Sequence, residues 1–203
     1  MATFTTVAIC NKSLVLCGAS PITALSQDTA NARALNAVYD ISMQDFLTEC
    51  KWNFSTTRST LVTVASSVMA WLHTEEAYVY TRPSAALRIW EVSDSDAIWR
   101  EEGGYIISDT ADLGAKWAFE QTEVGLWQPK AIMAFIDKLC ADISYQIINS
   151  VPKAEAFMTK YNKVSLPAAM SENAQTGLQQ EVKDDNWLKS KFGNEGNPAR
   201  SYS

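Results

Sequence analysis

The chain has 203 residues, of which 47% are hydrophobic and 20% charged, and a formal net charge of -6. That length and balance predict one domain with a good core, or a domain carrying a smaller insertion, and exclude disorder throughout. The negative charge argues against a protein that grips nucleic acid by its phosphates, because such binding rests on clustered Lys and Arg. No apolar run approaches the roughly 18 residues of a membrane span, so no membrane partner is expected. The start, Met1-Ala2-Thr3-Phe4-Thr5-Thr6, lacks the basic opening of a signal peptide, which predicts a protein kept in the cytosol or in a particle assembled there. Cys10, Cys17, Cys50 and Cys140 lie in apolar stripes without C-x-x-C spacing and read as small core hydrophobes, with no metal site and no disulfide framework.

In chain order, Val7, Cys10, Leu14 and Cys17 share a face of a first helix, which Thr5 or Thr6 can cap and Gly18 can end. Ser20-Pro21 forces an extended turn, and Ile22 and Leu25 can tuck it under the next helix, so helices one and two are expected to pack antiparallel. The second helix is the longest pattern in the chain. Leu35, Tyr39, Met43, Phe46, Leu47 and Cys50 recur at steps of three and four, with Val38 and Ile41 widening the stripe and Asp28 or Thr29 as cap. The remaining elements are expected to pack around it, with Trp52 and Phe54 as an aromatic anchor at its end.

From Ser59 the texture changes to short β-branched and aromatic runs: 61–64, 77–80, 87–92, 98–101, 105–108 and 116–119. Gly103-Gly104 admits the positive φ angles of a tight hairpin between two of them, and Pro83 predicts a break before Leu87. Pro129 then opens a helix with Ile132, Phe135, Ile136, Leu139, Ile143 and Ile147 on one stripe. Pro152 opens another with Ala154, Phe157, Tyr161 and Val164, which Pro167 ends or kinks before a weaker stretch through Gln180. The expected fold class is α+β, a four-helix bundle (1–58 and 123–180) interrupted by a small antiparallel β-rich insertion (59–122). A polar C-terminal arm, 181–203, comes last. The structural core is expected to include Leu35, Phe46, Trp52, Phe54, Phe135 and Leu139.

Chemistry is sparse. His73 is the only histidine and reads as a strand-edge residue rather than a catalytic one. Glu75-Glu76 and Glu101-Glu102 are adjacent pairs whose members point to opposite faces of a strand, which is wrong for shared acid–base work. No G-x-x-x-x-G-K-[ST] or G-x-G-x-x-G run is present, and no cofactor is implied. Trp90, Trp99 and Trp117 read first as packing for a small sheet and second as an aromatic contact surface.

Several blocks resemble a family when taken in order: Gly18-Ala19-Ser20-Pro21-Ile22 with Leu25, Asn31-Ala32-Arg33, and Trp52-x-Phe54-Ser55-x-x-Arg58 with Leu61. Tyr78-x-Tyr80-x-x-Pro83-x-x-x-Leu87-Arg88-Ile89, then Val92, Gly104-Tyr105-Ile106-Ile107, Trp127 to Ala141, and Tyr161 continue it. Together they are similar to the tail tubular protein A family, the head-to-tail adaptors of short-tailed bacteriophages. The resemblance runs to about Thr176 and implies a helical bundle interrupted by a β-rich insertion. It also implies a non-enzymatic virion protein, a homo-oligomeric ring, twelvefold in the family, that sits beneath the portal protein. The ring extends the DNA ejection channel and offers a platform to nozzle or fibre proteins, and DNA passes its lumen without specific binding. No catalytic residue carries over. A tail-associated cell-wall hydrolase and a DNA-binding packaging factor are the alternatives. The arm is outside the resemblance; its Trp187, Leu188 and Phe192 are costly to leave in water and are expected to dock on a partner.

Overall fold

The computed structural model describes residues 4–74 and 76–177. It is mixed α+β, with helices before and after a unit of two small antiparallel sheets. The first helix, α1, is Thr6–Cys17, where Thr5 Oγ1 accepts from the Ala8 N–H at 3.2 Å and Gly18 ends the helix at φ 78°. The second, α2, is Ala30–Glu49, capped in the same way by Thr29.

Seven strands come next: β1 Thr56–Thr60, β2 Val62–Val64, β3 Tyr78–Thr81, β4 Ala86–Val92, β5 Trp99–Glu102, β6 Tyr105–Ser108 and β7 Gly114–Phe119. They divide into a three-stranded sheet ordered β1-β7-β4 and a four-stranded sheet ordered β2-β3-β6-β5. The predicted β5–β6 hairpin is present, and its Gly103 and Gly104 adopt φ 58° and 85°. Pro83 falls in the turn that separates β3 in one sheet from β4 in the other. Leu61, Tyr80, Ile89, Ile106, Leu113 and Trp117 form the core between the sheets.

The rear of the chain comprises α3 (Pro129–Ile148), α4 (Val151–Lys160), a π turn (Tyr161–Ser165) and α5 (Leu166–Gln175), the last three running on as one helix. Pro167 does not end it; the break in the regular α pattern falls just before it, in the π turn where the Leu166 N–H reaches back to the Tyr161 carbonyl. The π turn inserts an extra residue and rotates the helical residues beyond it. Val164, expected on the core stripe, is therefore exposed, while Ser165 and Ala169 turn inward.

Two further expectations are corrected. The centre of the bundle is α3, not α2, since α1, α2, α4, the π turn and α5 all pack on it. Helices α1 and α2 each pack chiefly on α3 rather than on each other. Helix α1 runs parallel to α3, with Ser13 Oγ reaching the Ile136 carbonyl at 3.4 Å and Cys17 beside Cys140 and Ser144. Helix α2 runs antiparallel on another face, where Phe46 meets Phe135 and Ser42 donates to Asp142. Ile41, expected to widen the α2 stripe, is exposed, because it lies off the face that α2 turns to α3.

Candidate functional site

The segment from Cys50 to Ser55 joins the bundle to the sheets, and its shape is set by aromatic packing. Phe46 stacks on Trp52 at 4.8 Å and on Trp127 at 5.6 Å, and Phe54 stacks on Trp52 and on Trp127. The indole N–H of Trp52 donates to the Phe46 carbonyl at 2.8 Å, which ties off the end of α2. Such offset stacks add about 0.5–1.5 kcal/mol each beyond area burial. Leu35, Phe46, Trp52, Phe135 and Leu139 are fully buried, and Phe54 is half-buried against the same cluster. The rigid joint therefore fixes how the β unit is carried by the bundle.

The end of α5 is clamped to the same joint. Asn173 Oδ1 accepts from the Asn53 N–H at 2.8 Å, Asn173 Nδ2 donates to the Lys51 carbonyl at 2.9 Å, and Asn53 Nδ2 donates to the Asn173 carbonyl. Thr176 Oγ1 accepts from Asn53 and from Gln128, both at 2.8 Å. The carboxylate of Glu172 accepts from the Lys130 N–H at 3.0 Å, satisfying a free donor at the start of α3. The chain thus leaves α5 beside the N-terminus of α3. An apolar groove of about 370 Å³ opens there between α1 and α3, lined by Phe4, Ala8, Ile9, Pro129, Met133 and Ile136. Trp187, Leu188 and Phe192 lie outside the described residues.

A third feature, an ion network, joins α2, α3 and the π turn. The buried ammonium of Lys138 donates to Asp45 at 2.6 Å and to Glu49 at 3.1 Å, over the ring of Tyr161. The Tyr161 hydroxyl donates to the other oxygen of Glu49. On the next face of α3, buried Asp137 accepts from Lys160 at 2.8 Å and from Ser165. Burial first, then the adjacent Glu49 carboxylate, pushes the Tyr161 phenol well above its ordinary range. Burial opposes the charge on Lys138, but the two carboxylates outweigh it and raise its pKa. Periodicity hides this network, because Asp137 and Lys138 sit on faces that only a central helix would bury.

The residues that looked most like chemistry are scattered. His73 lies in the loop between β2 and β3 rather than on a strand; it is exposed, edge-on to Trp71, and its N–H donates to Glu76. Glu76 pairs with Arg100, Glu101 with Arg82, and Glu102 with Arg100. Cys10, Cys17 and Cys140 are buried and Cys50 is half-buried, and burial pushes the Cys10 thiol up to about 12. Trp117 is buried between the sheets with Trp99 packed against that core. Trp90 on β4 lies under the Arg88 guanidinium at 4.6 Å. Among the described residues no group of three His, Cys, Asp or Glu side chains is placed to hold a metal ion, and no helix is long and apolar enough to cross a membrane. The chain matches no protein-family model and no curated protein.

Proposed function

We propose that the protein is a virion structural protein, a head-to-tail adaptor that forms a ring between the portal and the tail nozzle and lines part of the DNA ejection channel. The observation that carries this reading is where the resembling residues fall in the fold. Trp52, Phe54 and Trp127 make the aromatic joint between bundle and β unit. Gly18 closes α1, Asn31 Nδ2 ties α2 to the Ser20 carbonyl at 2.9 Å, and the Pro83 turn divides the two sheets. A bundle interrupted by an antiparallel β unit is also the architecture that the resemblance implies.

The subunit works through surfaces rather than through a reaction centre. Twelve copies meet by contacts that close on rotation, fibre or nozzle proteins dock below, and DNA passes without sequence-specific contact. The arm, 181–203, reaches a partner through Trp187, Leu188 and Phe192, and the clamp at Asn173 and Thr176 anchors the end of α5 that precedes it. The test is to mix purified protein with portal and image the product. Rings on the portal are the expected outcome; subunits that stay monomeric beside every portal tested overturn the reading. Replacing Trp187, Leu188 and Phe192 together by Ser should leave the helical spectrum unchanged and abolish ring capture by the portal. Retained capture removes the arm from the mechanism.

A further inference from the structure

The outer face of the three-stranded sheet carries a charge arrangement that the fold does not balance. Cross-strand pairs on one face point the same way, so the registers Arg58↔Lys116 and Lys116↔Glu91 put these three side chains in one row across β1, β7 and β4. Lys51, from the end of α2, reaches the same row. Glu91 accepts from Lys51 and from Lys116, both at 3.0 Å, and these two ammonium groups hold its carboxyl below the usual range. One carboxylate therefore serves two lysines. Arg58 is exposed, stands directly opposite Lys116, and has no carboxylate partner among the described residues. Like charges directly opposite each other destabilise a sheet. The row holds two more cations than anions on a chain whose net charge is -6.

The same row borders a recess of about 400 Å³ lined by Arg58, Thr60, Glu91, Ser93, Gly114 and Lys116, so the one carboxylate on its wall is the Glu91 group already held by two lysines. Gly114 helps to keep it open, since a Cβ there would come within 3.3 Å of Ser93 Cβ. Ser93 Oγ accepts from the Gly114 N–H at 2.9 Å and keeps its own proton free to donate. A planar guanidinium, an ammonium and the hydroxyls of Thr60 and Ser93 thus line one recess beside the Glu91 carboxylate, contributed by β1, β7 and the end of β4. Donors spread in this way suit a tetrahedral oxyanion with three or four acceptor oxygens better than a flat carboxylate with two.

We infer that this recess binds a phosphate group, held chiefly by Arg58 and Lys116 and opposed by Glu91. The site is independent of the adaptor reading. Its phosphate comes either from a nucleic-acid backbone or from free phosphate. The acidic remainder of the molecule keeps the affinity of any one subunit for DNA low.

The test is a titration of the full-length, isotope-labelled protein with inorganic phosphate at constant ionic strength, read from the amide resonances of Arg58, Ser93, Gly114 and Lys116. Saturable shifts at these residues are expected. Arg58→Gln should weaken binding about tenfold, the loss of a charge-assisted contact, while Glu91→Gln should tighten it by freeing both lysines. Resonances elsewhere that superpose on the parent's show that each variant is folded. Equal shifts with chloride or acetate, unchanged affinity in Arg58→Gln, or weaker binding in Glu91→Gln each overturn the inference. In a second arm a short DNA duplex competes with phosphate for the same resonances if the backbone is the source. A duplex that leaves them unmoved while phosphate binds identifies free phosphate as the ligand.

Discussion

Helices α2 and α3 are both 20 residues long and both read as amphipathic, yet they hold opposite positions in the fold. Helix α2 buries a single stripe, Leu35, Tyr39, Met43, Phe46 and Leu47, and leaves Ile41 in solvent. Helix α3 is buried at every position from Ala131 to Ala141 except Met133, including the charged pair Asp137 and Lys138. The two also start differently, for Thr29 caps α2 from within its own segment, whereas α3 borrows the Glu172 carboxylate from α5. A stripe of regular spacing shows that a helix has a core face. It does not show how many neighbours the other faces meet.

The largest effect that would sharpen this contrast is a cavity at the aromatic centre. Phe135→Ala should cost about 3–5 kcal/mol of unfolding free energy, while Ile41→Ala on the open side of α2 should stay within about 0.5 kcal/mol. Urea unfolding of both variants measures this, and a similar cost at the two sites would break the distinction between a central and a peripheral helix.

Next in size is the ion network. Lys138→Ala removes two charge-assisted bonds and should cost about 2–3 kcal/mol, reduced from the fully buried case because Asp45 and Glu49 keep some contact with water. Combining Lys138→Met with Glu49→Gln should recover much of that loss, since an apolar replacement leaves no unpaired charge. A double variant no more stable than the single one would show that the network does more than satisfy its own members.

The network also sets a pH dependence. Tyr161 has its folded pKa raised above the unfolded value of about 10, so above that pH the unfolded chain releases a proton that the folded chain keeps. Lys138 has its pKa raised above about 10.5, and its contribution is present below that value and lost above it. Both signs agree. Stability should hold on the neutral side and fall above about pH 10, by about 1.4 kcal/mol per pH unit for each group. Urea midpoints across that range check it, and Tyr161→Phe should make the fall shallower.

The smallest effects concern the helix starts. Thr29→Ala and Glu172→Ala should each cost about 1 kcal/mol, but only Glu172→Ala should loosen the last helix as well. Amide exchange in α5 separates the two, and equal protection in both variants would mean that Glu172 is only a surface carboxylate.

The helices were legible because their ends carry local chemistry: Thr5, Thr29 and Gly18 act at the positions where the sequence places them. The hairpin was legible for the same reason at Gly103-Gly104. What escaped was set by tertiary partners. Strand β1, Thr-Thr-Arg-Ser-Thr, carries no apolar alternation; it is a strand because it pairs with β7, more than fifty residues away. The split into two sheets, with β1 beside β7, arises from long-range pairing that no turn signal reveals. The π turn has no sequence signature either, and it is held by Tyr161 bonding to Glu49 on α2 and by Ser165 bonding to the buried Asp137 on α3. At the candidate interface, the polar residues Asn173, Thr176 and Gln128 read as ordinary surface until the end of α5 is seen to meet the joint.

The pairing of β1 with β7 has a mechanical consequence. Thr56 lies opposite Ala118, so the chain enters and leaves the β unit at one place, and the bundle experiences everything between as a loop already closed at its base. A load applied to the far end of the unit reaches the bundle through two neighbouring strands, the aromatic joint beneath them and the bond from Arg88 on β4 to the Thr48 carbonyl on α2. The same geometry makes the unit exchangeable: a different insert whose ends meet at the spacing of one strand pair could be carried by this bundle, provided that it also covers the patch of bundle core that Leu87 of β4 packs against.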